Sequence, residues 1–159
     1  MIRSPLSLPL PDEAATRALG RAIAEALRPG EAVCLFGPLG AGKSTLARAL
    51  IRALTTPDED VPSPTFTLVQ FYEGARLNVA HFDLYRLTDA DEAYEIGLDE
   101  ALEDGAAVIE WPERLAGRLP ADRLDVEIAL SDTGEAGEGR QARLTGHGAW
   151  EGRGLEFGS

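Results

Sequence analysis

Lysine is almost missing from this sequence: of 15 basic residues, 14 are arginine and one, Lys43, is lysine. Positive charge as a whole is scarce, since 27 acidic residues leave a net charge of −12. That balance excludes broad, autonomous binding of nucleic acid, whose phosphate backbone demands a basic footprint. It leaves open action on nucleic acid through a partner. Cysteine is limited to Cys34, in an apolar run that marks it as core, so neither a disulfide framework nor a cysteine-rich metal site can be built. No apolar run approaches the ~18 residues of a membrane span, and no charged–apolar–cleavage pattern opens the chain. Segment 4–11 is punctuated by Pro5, Pro9 and Pro11, unlike the apolar stretch of a secretion signal. The expected location is the cytoplasm, with no membrane contact. What is present, 159 residues at 44% hydrophobic composition, suits one domain with a real core.

Periodicity divides the chain into alternating elements. Residues 2–10 read as a short edge strand or extended arm. Asp12 is placed as an N-cap, and Ala14, Ala18, Leu19, Ala22, Ile23, Ala26 and Leu27 recur at helical spacing until Pro29-Gly30. The fully apolar run 32–36 predicts a buried central strand. A glycine-rich turn over 37–42 leads into a second amphipathic helix from Lys43 to about Leu54. A proline-containing loop over 55–64 precedes strands at 67–72 and 77–85 joined as a hairpin. Residues 88–104 carry eight acidic and no basic residues, which predicts two short helices broken at Gly97. A short apolar strand follows at 106–109, then one helical turn after Pro112. Strands at 124–130 and 141–145 form a terminal hairpin. The Gly-rich loop between them and the segment after 146 are expected to be mobile.

One motif dominates. Gly37-Pro38-Leu39-Gly40-Ala41-Gly42-Lys43-Ser44 matches the phosphate-loop pattern at every fixed position, with an apolar strand before it and an amphipathic helix after it. Glycines let successive backbone N–H groups converge on phosphate oxygens, and the helix start adds its positive dipole end. Lys43 is a point charge for the terminal phosphates, and the Ser44 hydroxyl is a Mg²⁺ ligand. A compact ammonium is needed there, and arginine does not replace it. The lysine count also bears on base choice. Guanine-specific phosphate-loop proteins carry an Asn-Lys-x-Asp element, which a chain with one committed lysine cannot contain; ATP is favoured over GTP.

Phosphoryl chemistry needs acids at the carboxyl ends of neighbouring strands to hold Mg²⁺ or its waters. Asp83 ends the run Val79-Ala80-His81-Phe82, and Glu110 ends the run Ala106-Ala107-Val108-Ile109. Glu110 is the stronger candidate, because its strand is more fully apolar and hence more central. The general base stays open among Glu110, Asp83 and a substrate-assisted water. Thr65, in Ser63-Pro64-Thr65 after the phosphate-loop helix, is placed where a switch hydroxyl senses a γ-phosphate. His81 reads as a packed strand residue, His147 as exposed, and Asp58-Glu59-Asp60 as a solvated loop.

The blocks 37–45, Ser63-Pro64-Thr65-Phe66-Thr67-Leu68-Val69, His81-Phe82-Asp83-Leu84-Tyr85-Arg86-Leu87 and Ile109-Glu110-Trp111-Pro112-Glu113, in this order, resemble the TsaE family. TsaE is the bacterial ATPase of tRNA threonylcarbamoyladenosine biosynthesis. The resemblance spans about residues 5–145 and implies an α/β fold: a single phosphate-loop NTPase domain over 1–146, a mixed sheet flanked by helices, and a Gly-rich tail at 147–159. It implies Mg²⁺-dependent ATP hydrolysis stimulated by a TsaB–TsaD complex, which itself transfers the threonylcarbamoyl group to tRNA, so that contact with tRNA is indirect. It further implies Ser44, Glu110 and Asp83 at the metal; Lys43, Asp83, Glu110 and Thr65 in catalysis; and Gly37, Gly40, Ala41, Gly42, Lys43, Ser44 and Thr45 around the nucleotide. Trp111 would couple to nucleotide or partner, with Asp12 and Arg143 flanking the adenine. The family usually has Thr where this chain has Ser44; either hydroxyl serves as a ligand. Two other readings share the phosphate loop: a small-molecule kinase, suggested by Asp58-x-Asp60, and a nucleotide-gated binding module that does not hydrolyse.

Overall fold

The computed structural model describes residues 6–38, 42–62, 64, 68–115, 117–130 and 140–155. In chain order the elements are β1 (Leu6–Leu10), α1 (Glu13–Ala26), β2 (Ala32–Phe36), α2 (Lys43–Leu54), β3 (Val69–Tyr72), β4 (Val79–Asp83), α3 (Asp91–Glu95), α4 (Leu98–Asp104), β5 (Ala106–Glu110), β6 (Arg123–Leu130) and β7 (Arg140–His147). Short 3₁₀ turns occupy Pro112–Leu115 and Gly148–Trp150. The strands form one seven-stranded sheet in the order β1-β7-β6-β2-β5-β4-β3. β2 is parallel to β5 and β6, and β4 is parallel to β5. β1, β3 and β7 pair antiparallel with their neighbours, so the sheet is mixed, as expected. Among the described residues no helix is long and apolar enough to cross a membrane.

Local chemistry explains the elements. The Asp12 side chain accepts a hydrogen bond from the Ala15 N–H at 2.8 Å and starts α1, as its position before the apolar periodicity predicts. β5 is buried along its length, and β2 from Ala32 to Leu35, because helices cover both faces. Alternation sends Val33, Leu35, Val79, Val108, Val126 and Leu144 into the core beneath α1 and α2. Cys34, Phe82, Ala107 and Ile109 point into a second core beneath α3 and α4. The break between those two helices falls at Gly97, whose φ of 105° is left-handed.

α1 and α2 lie unusually close. A Cβ built on Gly20 would stand 2.9 Å from the Ala49 Cβ and 2.9 Å from the Leu46 carbonyl oxygen, so only glycine allows this approach. The contact fixes how α2, and with it the phosphate loop, sits on the sheet.

The domain boundary expected after residue 146 does not hold for residues 147–155. β7 continues to His147, opposite Arg123, and the His147 Nε2 lies 3.0 Å from Asp125 Oδ2. Trp150 is fully buried in the core under α1 and α2. Arg153 forks onto the Glu31 carboxylate at 2.6 and 2.7 Å and stacks 4.4 Å from the Trp150 ring. Glycine content suggested a loose tail, but one large apolar side chain and one buried ion pair outweigh the flexibility of the glycines around them.

Candidate functional site

The sheet order places β2 at a topological switch: the chain leaves it through α2 toward the β5–β4–β3 side, while β6, β7 and β1 lie on the other side. In open α/β sheets, ligands bind outside the carboxyl ends of the strands at such a point. β2, β4 and β5 are parallel through their pairings with β5, so their carboxyl ends, at Phe36, Asp83 and Glu110, face the same edge. α2 begins at that edge with Lys43 and Ser44. Its N-cap, Gly42, has φ 107°, which an L-residue with a side chain adopts only under strain.

Asp83 and Glu110 are direct partners in the parallel β4–β5 register, and both are buried. They share strand parity with Val79 and Val108, so they face α2. The two oxygens of Glu110 have separate partners: Oε1 lies 3.5 Å from the Ser44 hydroxyl, and Oε2 lies 2.6 Å from His81 Nε2. His81 is 2% exposed and its Nδ1 has no hydrogen-bond partner among the described residues, so its one polar contact holds the Glu110 carboxylate. Asp83 Oδ1 accepts the Tyr85 N–H at 3.1 Å.

Lys43 is equally committed. Its ammonium is buried, has no hydrogen-bond partner among the described residues, and sits 3.5 Å from the centroid of the Trp111 ring. Burial lowers its pKa below the usual lysine value, while Glu110, Glu113 and Asp83 pull it back up. The π face of Trp111 compensates only part of the lost hydration. Trp111 itself has φ 60°, a left-handed conformation that costs on the order of 1–2 kcal/mol. Its ring also packs at 5.0 Å on Tyr85, whose face is approached by Arg114 at 5.8 Å. Strained residues of this kind cluster at functional sites.

These residues meet two of the demands of a nucleotide and its metal. An orphaned, buried ammonium is a group that a phosphate oxygen satisfies. Hard oxygen donors on Ser44, Glu110 and Asp83 suit Mg²⁺, which is held by one or two carboxylates with waters and phosphates filling the rest. No cluster of three or more His, Cys, Asp or Glu ligands occurs among the described residues.

The structure thus brings together Lys43, Ser44, Asp83, Glu110 and Trp111, five of the residues singled out from sequence. Gly37 and Thr45 flank the loop and the helix start. Gly40, Ala41 and Thr65 lie outside the described residues. Asp12 and Arg143 are not brought together. Asp12 caps α1 just beyond Leu10, which faces Arg140, whereas Arg143 stands opposite Ser7, three residues back along β1. Alternation also turns Arg143 away from the face that carries Ala142 and Leu144 beneath α1 and α2. Arg140 and Thr16 are the side chains that approach Gly42, at 3.7 and 3.9 Å from an ideal Cβ there. His81 and Tyr85 were missed as site residues. The available signal for both was their place in the His81–Leu87 block, and His81 further shares strand parity with Asp83.

A glycine-capped loop between the central strand and a Lys-Ser helix start, facing strand-end acids, defines a P-loop NTPase-like α/β fold. Comparison with known proteins narrows this class. A family model described as threonylcarbamoyl adenosine biosynthesis protein TsaE matches residues 10–141. A tRNA threonylcarbamoyladenosine biosynthesis protein TsaE from Streptomyces coelicolor is 41% identical over 137 residues, covering 83% of this chain and 90% of the relative. One of the same name from Rickettsia felis is 36% identical over 123 residues, covering 77% and 72%. The crystal structure of Bacillus subtilis YdiB superposes with a TM-score of 0.73 at 27% identity, covering 91% of this chain and 87% of that one. The chain belongs to the TsaE family, which takes part in tRNA threonylcarbamoyladenosine biosynthesis.

Proposed function

We propose that this chain is the Mg²⁺-dependent ATPase of tRNA threonylcarbamoyladenosine formation, and that it acts on a TsaB–TsaD complex rather than transferring the group itself. The observation that carries the reading is the convergence of Lys43 and Ser44, at the start of α2, on Glu110 and Asp83 at the ends of β5 and β4. When bound, Mg²⁺ supplies charge that polarises the phosphate oxygens.

The chain's own groups divide the remaining work. Backbone N–H groups from Gly37 to Thr45 cradle the phosphates, helped by the positive end of α2. Lys43 leaves the Trp111 face to neutralise the terminal phosphates, so Trp111 registers nucleotide directly. Ser44 and Glu110 hold the metal side of the site, with Asp83 beside them. His81 keeps Glu110 in the rotamer that faces Ser44. Thr65 supplies the switch hydroxyl.

The test is ATP turnover by the pure chain with and without the TsaB–TsaD complex, for wild type and Glu110→Ala. Slow turnover alone, acceleration with the complex, and loss of both in Glu110→Ala are expected. Equal turnover with and without the complex refutes the partner assignment. Survival of tRNA modification in cells whose Glu110→Ala protein no longer hydrolyses ATP favours a binding module instead.

A further inference from the structure

The close α1–α2 packing at Gly20 has a second effect, on the outside of the molecule. It lays Arg17 and Arg21 of α1 beside Arg48 and Arg52 of α2 along one groove of about 510 Å³, with Thr45 at one end. Four of the chain's 15 basic residues are gathered there against one acid, Glu13, in a protein whose net charge is −12. Two of the four are partly engaged: Arg17 pairs with Glu13 at 3.5 Å, and the Arg52 Nε–H donates to the Glu59 carbonyl at 3.0 Å. Arg21 and Arg48 are exposed and have no carboxylate within ion-pair reach among the described residues. Like charges held side by side repel, so an unoccupied arginine groove is a cost that a matching anion removes.

We infer that this groove docks a carboxylate-rich protein segment of the partner complex. The inference rests on the function proposed above and adds where the partner binds and how it reaches the nucleotide. Planar guanidinium forks match carboxylates in bidentate geometry. At physiological salt the Debye length is ~8 Å, so a short segment seated in the groove feels the local positive charge more than the acidic surface beyond it. RNA is the poorer match: its backbone continues past the groove, and its charges would run onto that acidic surface. The groove is also built on the helix that starts the nucleotide site. Thr45 follows Ser44 directly, and Arg48 and Arg52 lie about one and two turns further along α2. A partner that holds these arginines grips the element that carries Lys43 and Ser44.

The experiment compares wild type, Arg21→Glu/Arg48→Glu, Arg21→Gln/Arg48→Gln and the off-groove control Arg28→Glu, all as full chains. It measures affinity for the reconstituted TsaB–TsaD complex at low and moderate salt, stimulation of ATP turnover, affinity for tRNA, and nucleotide affinity of the chain alone. The double reversal should weaken partner binding by at least about tenfold and abolish stimulation, with the glutamine pair intermediate. Nucleotide affinity alone and partner binding by Arg28→Glu should stay within about twofold of wild type. Partner binding by the double reversal equal to wild type overturns the inference. So does loss of tRNA binding with partner binding intact, which makes the groove an RNA contact. If wild type itself does not bind the complex, the function proposed above fails, and this inference with it.

Discussion

Replacing Trp150 by alanine should cost about 3–5 kcal/mol of folding stability, the range for removing a large aromatic side chain from a packed core. The side chain is 0% exposed, packs in the core beneath α1 and α2, and stacks on Arg153, so its loss leaves a cavity between the sheet and both helices. Domains of this size lose about 2–4 °C in Tm per kcal/mol, which predicts a drop of about 6–20 °C. One feature moderates the figure: the indole Nε1–H is buried without a hydrogen-bond partner among the described residues, and its removal recovers part of a desolvation penalty of about 1–3 kcal/mol. Trp150→Phe separates the two effects, because it keeps most of the volume and drops the orphaned donor. It should be destabilising by less than about 1.5 kcal/mol. Urea and thermal denaturation of the full chain without nucleotide, at one pH and protein concentration, read both variants. A loss under about 1 kcal/mol for Trp150→Ala would refute the packed placement of residues 147–155 and restore the loose tail expected from composition.

Three further predictions test other parts of the structure. Arg153→Ala strands the buried Glu31 carboxylate and should cost about 3–5 kcal/mol; adding Glu31→Gln should recover a large share, so additive losses in a double-mutant cycle argue against the pair. His81→Phe should reduce Mg²⁺-dependent turnover about 10–100-fold with little change in nucleotide affinity, because it frees the Glu110 rotamer without touching Lys43; His81→Gln should restore part, and unchanged turnover in His81→Phe would show that Glu110 needs no support. Burial raises the Cys34 thiol far above its ordinary pKa of 9.0, with a smaller push from Asp125. The unfolded chain therefore releases this proton where the folded chain keeps it, and the thiol's contribution to stability falls as pH rises above about 9. A thiol reagent at pH 8 should leave folded protein untouched and label the chain in denaturant; rapid labelling of the folded chain contradicts the buried placement.

Features set by near neighbours along the chain were legible in the residues alone. The phosphate loop, the lone lysine, the helix start at Asp12 and the break at Gly97 are local signals, because turn geometry, capping and periodicity are set within a few residues. The placement of Glu110 near the sheet centre was also legible, since a strand apolar on both faces must be covered on both. The order of the four motif blocks carried the family.

Contacts that depend on strand register and on packing between distant segments emerge only in the folded chain. His81 and Glu110 are 29 residues apart, and only the parallel β4–β5 register sets them 2.6 Å apart. Trp111 over Lys43 depends on a left-handed backbone that no residue type announces. The arginine groove exists because Gly20 lets α1 approach α2, which aligns two helical arginine pairs that look like ordinary solvated faces in sequence. Residues 147–155 were misjudged for the same reason. Glycine content is a local property, whereas the burial of Trp150 and the Arg153–Glu31 pair is fixed by what lies across the fold.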